Sequence, residues 1–285
     1  MEQKNGVLYV VATPIGHLKD LSLRAIEVLS AVDLIAAEDT RHSRTLLSHY
    51  GIKTRAISLH DHNESAVVPK MVQELHAGRS VALISDAGTP LISDPGFALV
   101  RAVAAEGLQV VTVPGACALI AALSIAGLPT DRFVFEGFLA AKSGERRAAL
   151  QQLAAERRTL IFYESCHRIT TTLTDMAAVW GGARQIVVAR ELTKLYEEVI
   201  RGSLDDVVAR IAAEERFRKG EYVLVVAGAP APEQASELLA ADNMLRILLQ
   251  ELPLKQATKL AASLSGLNKN QLYERALAIV AEEAR

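Results

Sequence analysis

Cysteine is scarce in this chain of 285 residues: Cys117 and Cys166 are the two present, and they fall in separate motifs. So few thiols exclude a disulfide framework, and both are expected to be reduced packing residues. Neither charge sign dominates, since 31 Lys and Arg face 33 Asp and Glu for a net charge of −2. Bulk electrostatics therefore gives no support to a nucleic-acid partner. Long apolar runs are missing too. The most apolar stretch, 110–128, is broken by Thr112, Pro114, Gly115, Ser124 and Gly127. That excludes a membrane span and predicts a strand, a turn and a buried helix of small residues. The opening MEQKNG is polar, so no secretion signal is expected and the chain is assigned to the cytoplasm. No G-x-G-x-x-G follows a strand and no Walker A sequence occurs. Ordinary dinucleotide and nucleoside triphosphate sites are thereby excluded.

What is present is an ample core and a repeated unit. Half of the residues are hydrophobic, which excludes wholesale disorder, and the length allows two domains with a small appendage. Between residues 7 and 115, five apolar runs (LYVVATPIG, DLIAAEDT, RAISLHDHN, VALISDAGTP and VVTVPGACA) end in polar or Gly/Pro loops. Helical spacing follows each run, so the order predicts a mostly parallel, doubly wound sheet. Asp20, Thr40 and Asp94, the last before Pro95, are expected to cap the helices that follow them.

A turn-rich break at 127–132 opens a second region with strand candidates FVFEGF, TLIFYES, QIVVAREL, EEVIRG and EYVLVVAG. Helices are expected near 144–156, 167–180 and 204–214. Consecutive strands near 186–201 have no helix between them, which predicts a mixed sheet. APAPEQAS, at 229–236, has the composition of a linker. Beyond it LKQATKLAASL and KNQLYERALAIV flank SGLN, in the manner of a helix-turn-helix. The expected parts are therefore 1–130, 131–230 and 231–285.

In an open parallel sheet, ligands bind where the strands' carboxyl ends meet loops and helix N-termini. Those ends carry Thr13, Glu38, Asp39, His60, Asp61, His62, Asp86, Thr89 and Pro114-Gly115. The densest loop is SDAGTPLISDPG, 85–96, in which Gly88 and Pro90 fix a tight turn and let a ligand approach the backbone. Asp86 reads as a ligand contact, Asp94 as a helix cap. Two carboxylates with no Lys or Arg repel phosphate and suit hydroxyls, amines or a cation. The loop Pro114-Gly115-Ala116-Cys117-Ala118 opens a helix and offers backbone N–H groups to a carboxylate. S-adenosylmethionine combines a carboxylate, hydroxyls and positive charge without phosphate. His60 and His62 lack a third ligand nearby, so no metal is expected and the loop is read as shaping a pocket. Tyr163 stands open between base stacking and half-buried core. Within 142–168, Lys142, Arg146, Arg147, Arg157, Arg158 and Arg168 face Glu145, Glu156 and Glu164, a solvated helix face or an RNA groove.

Several motifs in combination carry a resemblance. VATPIGHLKDLSLRAIEVL, AAEDTRHSRTLL, LHDHNE, SDAGTPLISDPG, VPGACALIAALS, FEGFL, FYESCHR, ARELTKLYEE and RKGEYVLVV cover nearly the whole chain. Together they resemble the ribosomal RNA small-subunit methyltransferase I family, within the tetrapyrrole methylase superfamily. Cys166 departs from the proline that many relatives carry, which bears on backbone stiffness more than on chemistry. The fold so implied is α/β: a parallel doubly wound sheet and a mixed sheet, the cofactor in the cleft between them, and a small helical appendage. The activity implied is 2′-O-methylation of a cytidine ribose in the decoding region of 16S rRNA, with S-adenosylmethionine as donor. A homodimer acting on the small ribosomal subunit, without metal or membrane, is implied as well.

Carried onto this sequence, the resemblance implies cofactor contacts at Pro14, Asp86, Gly88, Thr89, Pro90, Leu91, Ser93, Pro114, Gly115, Ala116, Ala118, Tyr163, Lys219, Gly220 and Glu221. RNA contacts are expected at Arg41, Arg44, His60, Asp61, His62, Lys142, Arg146, Arg147, Arg168 and Arg190. Glu164, Glu191 and Lys194 are the expected catalytic residues, and Glu38, Asp39, Asp61, Asp86 and Glu221 remain open as alternative bases. Two other functions stay open: a tetrapyrrole methyltransferase, against which the basic segment and appendage speak, and a non-catalytic ribosome-assembly RNA binder, which would gain nothing from carboxylates at the strand ends.

Overall fold

The computed structural model describes residues 5–230 and 234–283. Strands β1 (Val7–Val11), β2 (Leu34–Ala37), β3 (Ala56–Ser58), β4 (Val81–Ile84) and β5 (Gln109–Val113) form one sheet in the order β3-β2-β4-β1-β5, parallel throughout. All four residues of β4 are buried, as a central parallel strand covered on both faces requires. Helices α1 (Leu23–Ala31) and α2 (Thr40–His49) cover one face, where Leu29, Leu46 and Leu47 meet Ile35, Ala37 and Ile84. Helices α3 (Glu64–His76) and α4 (Phe97–Ala105) cover the other, with Leu75 and Leu99 on Ala36 and Leu83. The expected doubly wound parallel sheet is what the chain forms.

The helix starts differ from expectation. Asp20 ends a short 3-10 turn, and Ser22 caps α1 by accepting the N–H of Ala25 at 3.1 Å. Asp39, one residue before Thr40, caps α2 through the N–H of Arg41 at 2.8 Å. Gly96 takes the cap position of α4 and gives its own N–H to Glu64 Oε1 at 2.8 Å. Asp94 is thus relieved of capping.

The second sheet uses β6 (Phe133–Phe138), β7 (Thr159–Ser165), β8 (Gln185–Arg190), β9 (Glu198–Ser203) and β10 (Glu221–Val226), in the order β6-β7-β10-β8-β9. β6 and β7 are parallel and the remaining pairings antiparallel, so the sheet is mixed as expected. Helices α6 (Ser143–Gln152), α7 (Ile169–Trp180) and α8 (Leu204–Ala213) cover one face, packing on Phe162 and Leu224. The opposite face receives α5 (Ala118–Ala126): Leu119, Ala122 and Leu123 press on Ile161, Val187 and Val225. Burying each of those leucines contributes about 1.5–3 kcal/mol. The result is one compact unit through Ala229.

Residues from Pro230 form a second unit. It comprises α9 (Gln234–Glu251), α10 (Leu254–Ser265) and α11 (Lys269–Glu283) around Leu245, Ala261, Leu272 and Ala276. Gly266, at φ 71°, ends α10 inside SGLN, so the helical pair read there is present, with a further helix before it. No helix among the described residues is long and apolar enough to cross a membrane.

Candidate active site

The carboxyl ends of β1, β2 and β4 are latched together. Asp86 N–H donates to Glu38 Oε2 at 3.2 Å, and Asp39 N–H donates to Asp86 Oδ1 at 3.1 Å. Thr13 and Gly88 exchange backbone hydrogen bonds of 2.8 and 3.1 Å, and the Thr13 hydroxyl donates to Ser85 O. The loop after β4 is thereby fixed over β1. Leu91 and Ser93 hold positive φ there, at 73° and 67°, as do Glu191 and Thr193 after β8, at 51° and 64°. Each left-handed non-glycine residue costs about 1–2 kcal/mol, and such strain clusters where function over-determines the backbone.

The two loops meet. Thr193 Oγ1 accepts the His17 N–H at 3.1 Å. A Cβ on Gly16 would lie 2.5 Å from Lys194 Cγ, so only glycine permits this approach. Lys194 Nζ donates to Glu191 Oε1 at 2.9 Å and to Glu221 Oε2 at 2.6 Å. Glu191 Oε1 also accepts the Glu221 N–H at 3.0 Å. Burial pulls the Lys194 pKa down, but the two carboxylates outweigh it and leave it raised. Burial likewise opposes ionisation of Glu191, yet Lys194 and the Glu221 N–H hold its pKa low. The Lys194 ammonium is thus favoured and stays paired with both carboxylates at this seam.

Between the loops lies a cavity of about 430 Å³. Gly88, Thr89, Ser93, Ala118, Tyr163, Gly220 and Glu221 line it, as do Glu164 and Lys194. Ile15, Asp94, Phe138 and Leu192 line it too, none of them among the expected contacts. Asp94 is the telling addition. Its pKa is pushed up to about 6, first by burial and then by Glu38 and Asp86, against the Ser85 hydroxyl. Glu38 is raised too, by burial and by Asp86 and Asp61, against the Asp86 N–H. Tyr163 stands at the α5 end, where its hydroxyl accepts the Leu119 N–H at 3.2 Å, and its ring meets Phe135 and Phe138 at 4.9 and 5.6 Å. Burial and Cys117 push its phenol pKa up.

A second cavity, of about 320 Å³, adjoins the first through Ile15, Ala87, Lys194 and Glu221, and Pro14 and Asp86 line it. Pro90, Leu91, Pro114, Gly115 and Ala116 stand outside both linings and support them: Thr89 Oγ1 donates to Ala116 O at 3.0 Å, and a Cβ on Gly115 would touch Ala12 at 3.0 Å. Lys219 lines another opening, with Arg190 and Glu191.

Three of the expected charged site residues are buried. Glu164 is 2% exposed, and Thr172 Oγ1 donates to its Oε2 while Arg168 and the Ser165 N–H donate to its Oε1. A carboxylate so occupied fastens β7 to α7 at the wall of the first cavity. Arg146, 3% exposed, spends its donors on Asp175 and the carbonyls of Ala140 and Ala141. Arg190, 7% exposed, donates to Lys219 O and Arg216 O. The Arg146 guanidinium is thus spent inside the protein, whereas Arg190 also lines the opening beside Lys219. Arg41, Arg44 and Lys142 are exposed, Arg147 shares Asp175 while half exposed, and Arg168 pairs with Glu164 at 2.8 Å. His60 and His62 stack edgewise at 5.9 Å on the loop holding Asp61. Among the described residues, no cluster of three or more His, Cys, Asp or Glu is placed to hold a metal ion.

The sequence matches the family described as "Tetrapyrrole (Corrin/Porphyrin) Methylases" over residues 7–208, and that described as "RsmI C-terminal HTH domain" over 235–279. The Ribosomal RNA small subunit methyltransferase I of Pseudomonas aeruginosa is 54% identical over 273 residues, covering 95% of this chain and 97% of its own. The protein of that name from Escherichia coli O157:H7 is 52% identical over 278 residues, covering 97% and 96%. The chain belongs to the ribosomal RNA small subunit methyltransferase I family. Among solved structures, a diphthine synthase shares the fold at a TM-score of 0.60, with 15% identity over 78% of this chain and 90% of its own. Membership of this methyltransferase family fits a cavity with Asp94 and Glu221 in its wall.

Proposed function

We propose that this chain transfers a methyl group from S-adenosylmethionine to the 2′-hydroxyl of a cytidine in the decoding region of 16S rRNA, on the small ribosomal subunit. The observation that carries the reading is the pair of adjoining cavities with Lys194 and Glu221 in their shared wall. Two reactants can then be held side by side, which is most of what an in-line displacement needs. The larger cavity falls within the range of about 300–1,000 Å³ usual for small-molecule sites. Its donor set fits the cofactor: Asp94 and Glu221 answer positive charge, Thr89 and Ser93 answer polar groups, and Phe138, Leu192 and Ile15 present apolar surface.

When bound, S-adenosylmethionine supplies an electrophilic methyl on a sulfonium. Asp94 holds a carboxylate toward that positive charge. The strained loops at 91–93 and 191–193 keep both walls in register without rearrangement. Lys194, fixed between Glu191 and Glu221, lays an ammonium along the seam and stabilises negative charge growing on the ribose oxygen. The proton leaves to Glu221, the carboxylate that lines both cavities. Exposed Arg41, Arg44, Lys142 and Arg147 hold RNA phosphates, and the protein works as a homodimer in the cytoplasm. Ribose methylation mapped across 16S rRNA from cells with and without this gene tests the reading. One cytidine should lose its 2′-O-methyl group in the deletion, and an unchanged map refutes it.

A further inference from the structure

The second cavity contains a hydroxyl that nothing in the protein answers. Ser43, on α2, is 4% exposed, lines that cavity, and its Oγ has no hydrogen-bond partner. Helical serines commonly satisfy themselves on the preceding turn, as Ser30 does on Ile26 O at 2.7 Å. Ser43 does not, and a buried hydroxyl without a partner costs about 1–3 kcal/mol. Its neighbours Leu46 and Leu47 belong to the apolar core, so alanine would serve the fold better. A cost to the fold with no structural return points to a ligand.

The surroundings say which ligand. The cavity mixes donors and acceptors, with Lys194, Asp86 and Glu221 in its wall. It shares that wall with the proposed cofactor cavity, and a space of about 320 Å³ is small. A folded RNA cannot enter it, but one nucleotide swung out of its stack can, as enzymes acting on a single nucleotide require. We propose that this cavity receives one extruded nucleoside of the RNA, and that the Ser43 hydroxyl hydrogen-bonds to it as a specificity-determining contact. The inference rests on the proposed function and adds the place of the acceptor to it.

Single-turnover methyl transfer to purified small ribosomal subunits, over a range of subunit concentrations, tests it. The parent, Ser43→Ala and Thr45→Trp are compared, Thr45 being an exposed residue in the same cavity wall. Cofactor affinity by calorimetry and melting temperature are measured alongside. Losing one hydrogen bond should lower transfer by Ser43→Ala about three- to tenfold. Its cofactor affinity should be unchanged and its melting temperature equal or higher. Thr45→Trp should bind cofactor normally and lose transfer. Transfer by either variant at the parent rate overturns the proposal. A Ser43→Ala protein that loses transfer together with cofactor affinity or melting temperature overturns it as well, because the hydroxyl then serves cofactor or fold. A parent that methylates no subunit preparation instead refutes the proposed function itself.

Discussion

Asp94 shows how one carboxylate can couple pH to two properties in opposite directions. Its folded pKa of about 6 lies above the ordinary 3.8, so the folded chain binds this proton more tightly than the unfolded one. Its contribution to stability is therefore least above pH 6 and grows as pH falls from 6 toward 3.8. A cationic ligand needs the ionised form, so S-adenosylmethionine affinity should fall over the same interval. Calorimetry and thermal melts across that range should diverge in sign, and Asp94→Asn should flatten both curves. Parallel curves would remove Asp94 from the cofactor site. Glu164 makes the contrasting case. Replacing it with alanine strands Arg168 and Thr172 inside the protein, a loss of about 3 kcal/mol in stability. The melting temperature of Glu164→Ala should drop clearly, whereas Glu221→Gln should melt like the parent and lose turnover. A stable but inactive Glu164→Ala would restore that residue as the base.

At the scale of elements, α6 explains why charge in a sequence does not announce its direction. Arg146 and Arg147 are adjacent, yet helical geometry turns the first inward onto Asp175 and leaves the second half exposed. Alternation along β7 has the same effect, setting Tyr163 on the α5 side and Glu164 on the α7 side. The repeated βα units, the mixed second sheet and the acidic loop after β4 were legible, because periodicity and turn chemistry are local. Asp94 was read as a cap because Asp before Pro is a common helix start. What the spacing could not show is that Glu64, from another helix, satisfies the Gly96 N–H and frees Asp94 for the cavity. Ser43 was invisible for a related reason, since an unmatched hydroxyl is defined by its surroundings. The exposed face of α2 yields its own prediction. If Arg44 holds a phosphate, Arg44→Ala should reduce the salt-dependence slope of RNA binding by about 0.7–0.9. Arg146→Ala should leave that slope alone and lower the melting temperature, because Asp175 is then buried without its main partner. Equal slopes for Arg44→Ala and the parent would take α2 out of the RNA interface.

The whole molecule divides after Ala229, and each unit has a core of its own. Both cavities are lined within the first unit, and its last strand is complete at Val226. A chain ending at residue 229 should therefore fold and bind S-adenosylmethionine as the full chain does. The second unit is held by Leu245, Ala261 and Leu272 and by the ion pair of Arg275 with Asp242. If it recognises a large partner, a second point of attachment multiplies the effect of the first. Losing one of two linked contacts weakens binding by about a hundredfold. Methyl transfer to assembled small subunits by the shortened chain should fall by about that factor at limiting subunit concentration, while transfer to a short oligonucleotide should not change. Equal loss on both substrates would mean that the helices support the first unit's structure; no loss on either would mean that they serve a partner other than the RNA.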